Sequence, residues 1–321
     1  MKLFNEFEFY RLEALFMEKV ELEDSIIVGK TNKEIAMHVS AVSVAVNIGL
    51  SVIKLIAGIV ANSGAMISDA VHSASDVFST VIVMVGVHLA SKQSDKEHPY
   101  GHDRLECEAA IILAVLLFLT GVGIGISGIE KITSGDTSTL EVPGMLALGA
   151  AIVSIVVKEL MYWYTINAAI KIKSGALMAD AWHHRSDALS SIGALLGILG
   201  ARMGYPILDP IASLLICVMI AKAAWEIFDD AMGKMVDTAC PEKVQQEMRK
   251  VIMANAKVLS IDDLKTRLFG SKMYVEVEIG VEATLTLIEA HNIAEGVHSS
   301  IEKNFPDVKH CMVHVNPAGQ E

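Results

Sequence analysis

Six apolar stretches, each long enough to cross a bilayer, fill the first two thirds of this chain. They run over about residues 36–60, 65–90, 107–129, 144–168, 176–201 and 207–228. A hydrocarbon layer of roughly 30 Å takes about 20 helical residues to cross. Backbone groups in hydrocarbon must satisfy one another, so single segments of this kind are helices. The 321-residue chain is 52% hydrophobic, with a mean hydropathy of +0.46. The predicted fold class is a membrane all-α six-helix transmembrane domain over 35–235, with a polar N-terminal extension over 1–34 and a C-terminal α+β domain over 236–321.

Turn and charge signals separate the spans. Ala61-Asn-Ser-Gly64 and Gly204-Tyr-Pro206 are tight turns. Residues 91–104 are a charged loop, 130–143 a polar loop ending at Pro143, and 169–175 a short loop with Lys171 and Lys173. Gly121, Gly123, Gly125 and Gly128 suit close helix approach in the third span. Six spans put both termini on one side. That side holds Lys30, Lys33, Lys92, Lys96, Arg104, Lys171 and Lys173, against Lys131 and Arg202 opposite. The excess of basic residues predicts cytoplasmic termini and a multi-pass protein of a bacterial-type inner or plasma membrane. In the extension, Phe4, Phe7, Phe9, Leu12, Leu15 and Phe16 recur at near-helical spacing, as in an amphipathic helix lying on the membrane or on the protein body. The N-terminus lacks a basic region followed by a short apolar one, so a span is expected to act as its own insertion signal.

One pattern occurs twice inside these apolar segments. Residues 69–76 read Asp-Ala-Val-His-Ser-Ala-Ser-Asp and residues 180–187 read Asp-Ala-Trp-His-His-Arg-Ser-Asp. On a helix, His72 and Asp76 share a face, as do His183 and Asp187, with Asp69 and Asp180 about one turn earlier. Taken singly, an intramembrane His is a helix–helix hydrogen-bond partner and an Asp lines a water cavity. A mid-bilayer carboxylate costs roughly 2.5–3.5 kcal/mol on insertion scales, so a repeated acid–His–acid face needs a function. If the two segments face each other, two nitrogens and two oxygens converge, a donor set suited to a tetrahedral divalent ion, Zn²⁺ first.

Other classes are disfavoured. A formal net charge of −12 argues against nucleic acid. No G-x-x-x-x-G-K-[ST] is present, so no nucleotide partner is expected, and H-E-x-x-H is absent. Cys107, Cys217, Cys240 and Cys311 are scattered, as neither a disulfide framework nor a thiolate zinc site would have them.

After residue 235 the pattern changes to helix 241–256, strand 261–268, strand 273–279, helix 284–303 and strand 308–315, in which Pro241 opens the first helix. This αββαβ order predicts a small α+β sandwich, a size suited to dimerisation and metal sensing.

With these motifs and this topology, residues 35–316 resemble the cation diffusion facilitator family: six spans, then a ferredoxin-like cytoplasmic domain. The resemblance implies a homodimer in the lipid bilayer that exports a divalent metal in exchange for protons. It assigns His72, Asp76, His183 and Asp187 to the transport site. Asp95, His98 and His102 match a family metal site in the loop after the second helix, and D-x-x-H-x-x-x-H offers three donors within one or two turns. His291 and His314 match ligand positions of the cytoplasmic domain. Asp262 stands where some members have His, Val277 replaces another His, and Asn316 replaces an Asp, which leaves a reduced site helped by Glu276 or Asp262. His102-Asp-Arg104 and Asp237-Thr-Ala-Cys-Pro241 resemble the segments that carry a charge interlock at the dimer's membrane junction, so Arg104 and Asp237 form the expected pair. Asp69 and Asp180 are expected to orient His72 and His183 or to line the pathway.

Metal needs neutral imidazole and ionised carboxylate, so metal and protons exclude each other and alternating access gives antiport. In this reading the close carboxylates hold protons when no metal is bound. The donor set favours Zn²⁺; Fe²⁺, Mn²⁺ or Cd²⁺ selectivity is the alternative. A scaffold or partner-binding role with vestigial transport is a further alternative. An intramembrane metalloenzyme is disfavoured, because no paired nucleophile and base is present.

Overall fold

The structure, a computed structural model, describes residues 31–60, 64–134, 145–202 and 208–318. The expected helix of the N-terminal extension and the turns at 61–63 and 203–207 lie outside them. Six long helices come first: α1 (Asn32–Val60), α2 (Gly64–Ala90), α3 (Leu105–Ser134), α4 (Met145–Ile172), α5 (Gly175–Arg202) and α6 (Leu208–Met235). Several outrun the apolar windows, α3 and α6 most, because hydropathy marks an apolar slab whereas hydrogen bonding continues through polar turns such as Asp229–Lys234. Ahead of α1, Thr31 and Glu34 form a capping box: Glu34 N donates to Thr31 Oγ1 at 3.3 Å and Thr31 N to Glu34 Oε2 at 2.7 Å.

The bundle has an apolar core that includes Val39, Val83, Leu117, Leu177 and Ile220, yet its outer surface is apolar too. On α1, Ser40, Ser43, Asn47 and Lys54 are buried, while Ile48, Val52, Ile53, Ile56 and Ile59 are exposed. So broad an exposed apolar surface needs an apolar solvent. Asn32–Ala57 and Leu105–Glu130, with mean hydropathies of 2.0 and 2.7, are long and apolar enough to cross a membrane. Helix α5 is less apolar because Asp180, His183, His184, Arg185 and Asp187 interrupt it.

Helices α3 and α6 pack most extensively, as do α1 with α2 and α4 with α5. A Cβ on Gly121 would lie 2.9 Å from Ile220 Cγ2, and one on Gly125 2.6 Å from Cys217 Sγ, so these glycines set the α3–α6 approach. Helix α2 also touches α3 and α5, and α1 touches α4. Every helix that carries an intramembrane acid or base therefore meets another that does.

The C-terminal unit contains α7 (Glu242–Met253), β1 (Ser260–Phe269), β2 (Lys272–Val281), α8 (Leu287–Asn304) and β3 (Val308–Pro317). Its mixed sheet runs β1-β2-β3, with β1 antiparallel and β3 parallel to β2. The alternation in β2 sends Val275, Val277 and Ile279 into a core with Met248, Ile252, Ile293, Val297 and Ile301. Pro241 is the N-cap of α7, outside the helix, with extended backbone (φ −52°, ψ 140°); the expected first-turn position belongs to Glu242. Thr286 and Glu289 form a capping box at α8.

Side-chain contacts join this unit to the bundle. Tyr274 Oη donates to Tyr100 O at 3.1 Å. Lys309 pairs with Asp103, Lys173 with Asp307, and Arg104 with Asp237. The β1–β2 turn lies against Asp103: Gly270 has φ +63°, and a Cβ there would stand 2.7 Å from Asp103 O.

Candidate metal centre

Asp76 lies in the middle of α2, and His183 and Asp187 lie one turn apart on α5. The α2–α5 contact brings them together, so that one donor atom from each lies within 4.8 Å of the other two. Asp76 and Asp187 are 2% and 9% exposed. His183 Nε2 stands 3.4 Å from Asp76 Oδ1 and has no hydrogen-bond partner of ordinary geometry. Two carboxylates and an imidazole around one point form the core of the predicted set. His72 precedes Asp76 by four residues on α2; its side chain and that of Asp69 lie outside the described residues.

A fourth member was not foreseen. Lys158, 3% exposed on α4, donates to Asp76 Oδ2 at 2.6 Å and to Asp187 Oδ2 at 2.9 Å. An ammonium thus bridges the two carboxylates and offsets the repulsion for which protons were expected. A lysine at the centre of an apolar span was a readable signal, since such a residue must find a partner inside. Lys54 of α1 lies nearby and donates to Ser73 Oγ at 2.9 Å. A cavity of about 230 Å³ opens at the cluster, bordered by Asp76, Asp187, both lysines, Thr120 and Ser154.

Asp180, expected to orient His183 or to line the pathway, pairs with other groups. It is fully buried, accepts from Thr80 Oγ1 at 3.1 Å and lies 3.6 Å from His184 Nε2. The i, i+4 spacing pairs Asp180 with His184, whereas His183 points to Asp76. The Thr80–Asp180 hydrogen bond ties α5 to α2. Arg185 lies 4.2 Å above the Tyr162 ring, with Trp163 and Trp182 also in range, and fixes α5 against α4.

Asp95, His98 and His102 also converge within 4.8 Å. Asp95 Oδ1 accepts from the backbone N–H groups of His98 at 2.7 Å and Glu97 at 3.0 Å. The His98 N–H bond is the main cause holding the Asp95 carboxyl below the usual range. His98 Nδ1 is 3.3 Å and His102 Nε2 3.5 Å from Asp95 oxygens.

In the α+β unit the predicted ligands do not gather within one chain. Among the described residues, only the two clusters above bring three such donors together. Asp262 Oδ2 accepts from Asn316 at 3.1 Å, and Glu276 lies 3.8 Å from Arg267. The parallel register sets His314 beside Glu278, and His291 lies exposed on α8. Val277 lies in the hydrophobic core of the unit. Arg104 and Asp237 do meet, within one chain, and Arg104 also lies 4.7 Å over the Phe269 ring.

A cluster of metal donors inside an apolar-walled bundle fits a membrane protein that takes a cation into its interior. Residues 40–236 match the Cation efflux transmembrane domain and residues 240–318 match the Cation efflux protein, cytoplasmic domain. An uncharacterized transporter of Methanocaldococcus jannaschii is 38% identical over 85% of this chain and 95% of its own length. Metal tolerance protein C1 of Arabidopsis thaliana is 36% identical over 85% of this chain and 60% of its own length. Manganese efflux system protein MneS of Bacillus subtilis is 32% identical over 87% of this chain and 95% of its own length. The chain belongs to the cation diffusion facilitator family and is a divalent metal cation efflux transporter of the membrane. Its C-terminal unit is of the kind through which cation efflux proteins dimerise.

Proposed function

We propose that this protein is a homodimeric metal/proton antiporter whose first substrate is Zn²⁺, bound at Asp76, His183 and Asp187 with His72 as the fourth donor. The observation that carries the reading is the convergence of the first three from α2 and α5. Two oxygens with two nitrogens suit tetrahedral zinc better than manganese, which takes more oxygen. Protons compete with metal for the same donors, because ligation needs deprotonated carboxylate and neutral imidazole. Exposure of the site alternately to each side then couples the two flows. All six helices span the bilayer in this reading, with both termini cytoplasmic. The αββαβ unit is ferredoxin-like, and Asp95, His98 and His102 form an accessory metal site.

Manganese is the second reading, favoured by the similarity to MneS. Proteoliposomes with an imposed pH gradient distinguish the two. We expect Zn²⁺ flux that needs the gradient and disappears in Asp187→Ala. Mn²⁺, Fe²⁺ or Cd²⁺ flux without Zn²⁺ would keep the site and change the substrate. Wild-type protein that moves none of the four metals would refute transport at this site.

A further inference from the structure

Lys158 is the fourteenth of 28 residues in α4. At 1.5 Å per residue it lies about 20 Å from either helix end, too far for its stem to carry the charge to water. It therefore needs partners within the bundle, and it contacts Oδ2 of Asp76 and Oδ2 of Asp187. These two residues also supply the oxygens of the metal cluster. A divalent ion and the Lys158 ammonium claim one carboxylate pair.

The cavity on which Lys158, Asp76 and Asp187 all border gives the ammonium room to move off the carboxylates. Ser154, one turn away on the same helix, borders it with Thr120, Ser190 and Ser191. A cavity of about 230 Å³ has room for a lysine head and water. Lys54, held on Ser73, borders the same cavity and supplies a second cation. With both lysines and both aspartates charged, the group sums to zero before a metal enters. Arrival of a divalent ion adds two charges, and repulsion then acts on the lysine nearest to it.

We propose that Lys158 is a built-in competitor of the transported cation: its ammonium takes the Asp76–Asp187 pair when metal departs, and incoming metal displaces it into the hydroxyl-lined cavity. This rests on the reading of Asp76, His183 and Asp187 as the transport site. The displacement moves a charged group and transfers no proton. Its effect is to weaken metal binding by a fixed factor, which favours release, and to give the metal-free carrier a neutral interior.

The test uses the full-length protein in detergent at one pH, with Co²⁺ binding read from its d–d absorption and Zn²⁺ by competition. Lys158→Met should bind Co²⁺ roughly 10- to 100-fold more tightly, the scale of one charge-assisted hydrogen bond. Lys158→Arg should stay near wild type. Asp187→Asn should lose the signal. In proteoliposomes, Lys158→Met should lower both the half-saturating Zn²⁺ concentration and the maximal rate. If Lys158→Met fails to fold, Lys158→Gln, which keeps hydrogen bonding without the charge, should still tighten binding. Folded Met or Gln variants with unchanged or weaker affinity would overturn the competitor role. Equal Co²⁺ signals in wild type and Asp187→Asn would instead refute the site itself, and the competitor role with it.

Discussion

The Asp76–Lys158–Asp187 bridge should make substitutions in it strongly non-additive. Lys158→Met leaves two buried carboxylates without their shared cation. Removal of one partner from a buried pair costs about 3–5 kcal/mol. Asp187→Asn is milder, because Lys158 keeps Asp76 at 2.6 Å. One charged hydrogen bond is weakened, at about 1.5–3 kcal/mol. Independent effects would sum to about 4.5–8 kcal/mol in the double variant. The double variant, however, removes one positive and one negative charge together, and Asp76 keeps His183 at 3.4 Å. We expect it to cost no more than Lys158→Met alone, a coupling of about 1.5–3 kcal/mol. Equilibrium unfolding of the four proteins in mixed micelles, without added metal, measures the cycle. Additivity within about 0.5 kcal/mol would show that the bridge contributes no mutual stabilisation and would refute the reasoning.

Three more outcomes follow from the soluble-facing parts. Asp95 has a depressed pKa in the folded loop, so its stabilising effect is complete above the ordinary carboxylate range and is lost as pH falls through its lower folded value. Amide exchange at His98 should quicken over that acidic window, and Asp95→Ala should show the quick exchange at every pH. Burial pushes the Cys311 thiol up to about 12. Its maleimide reaction near neutral pH should run roughly a hundredfold or more below that of a free cysteine and should recover in urea; fast native labelling would contradict the β3 packing. Gly270→Ala places a side chain at φ +63° and against Asp103 O. It should destabilise the domain junction by about 1–2 kcal/mol in thermal unfolding, and a neutral effect would show that the hairpin does not rest on Asp103.

The elements that were readable beforehand are those governed by a period. Apolar runs located all six helices, since a polar residue within such a run is exceptional. Alternation in Met273–Ile279 located β2 and its buried face. The repeated acid–His–acid pattern located Asp76, His183 and Asp187, because i and i+4 spacing fixes a shared face without knowledge of the partner helix. What stayed hidden depends on which helix faces which. Lys158 belongs to no motif, and its meaning comes only from the contact of α4 with the helix that carries Asp187. Asp180 had two neighbours at helical spacing, His183 and His184, and only the orientation of α5 toward Thr80 decides between them. In the sheet, strand pairing was needed to show Asn316 joining Asp262 and Glu278, at 3.1 and 3.3 Å.

These contacts differ in strength, and the difference assigns parts to the two halves of the molecule. The pairs between bundle and α+β unit are partly exposed; Lys173 is 62% and Asp237 43% accessible. Pairs of that kind contribute about 0–1 kcal/mol each, so the junction is a set of weak ties that permits tilting. The ties attach at the loop after α2 and at the turn before α5, next to the two helices that carry the metal donors. The bridge inside the bundle is buried and joins three helices: α2 through Asp76, α4 through Lys158 and α5 through Asp187. A metal at Asp76, His183 and Asp187 would join only α2 and α5. Exchange of the ammonium for a metal would therefore remove one tie of α4 to α2 and α5, while the α4–α5 packing and the Arg185–Tyr162 contact remain. In the proposed antiport, such a change of helix attachments would serve alternating access within the bundle.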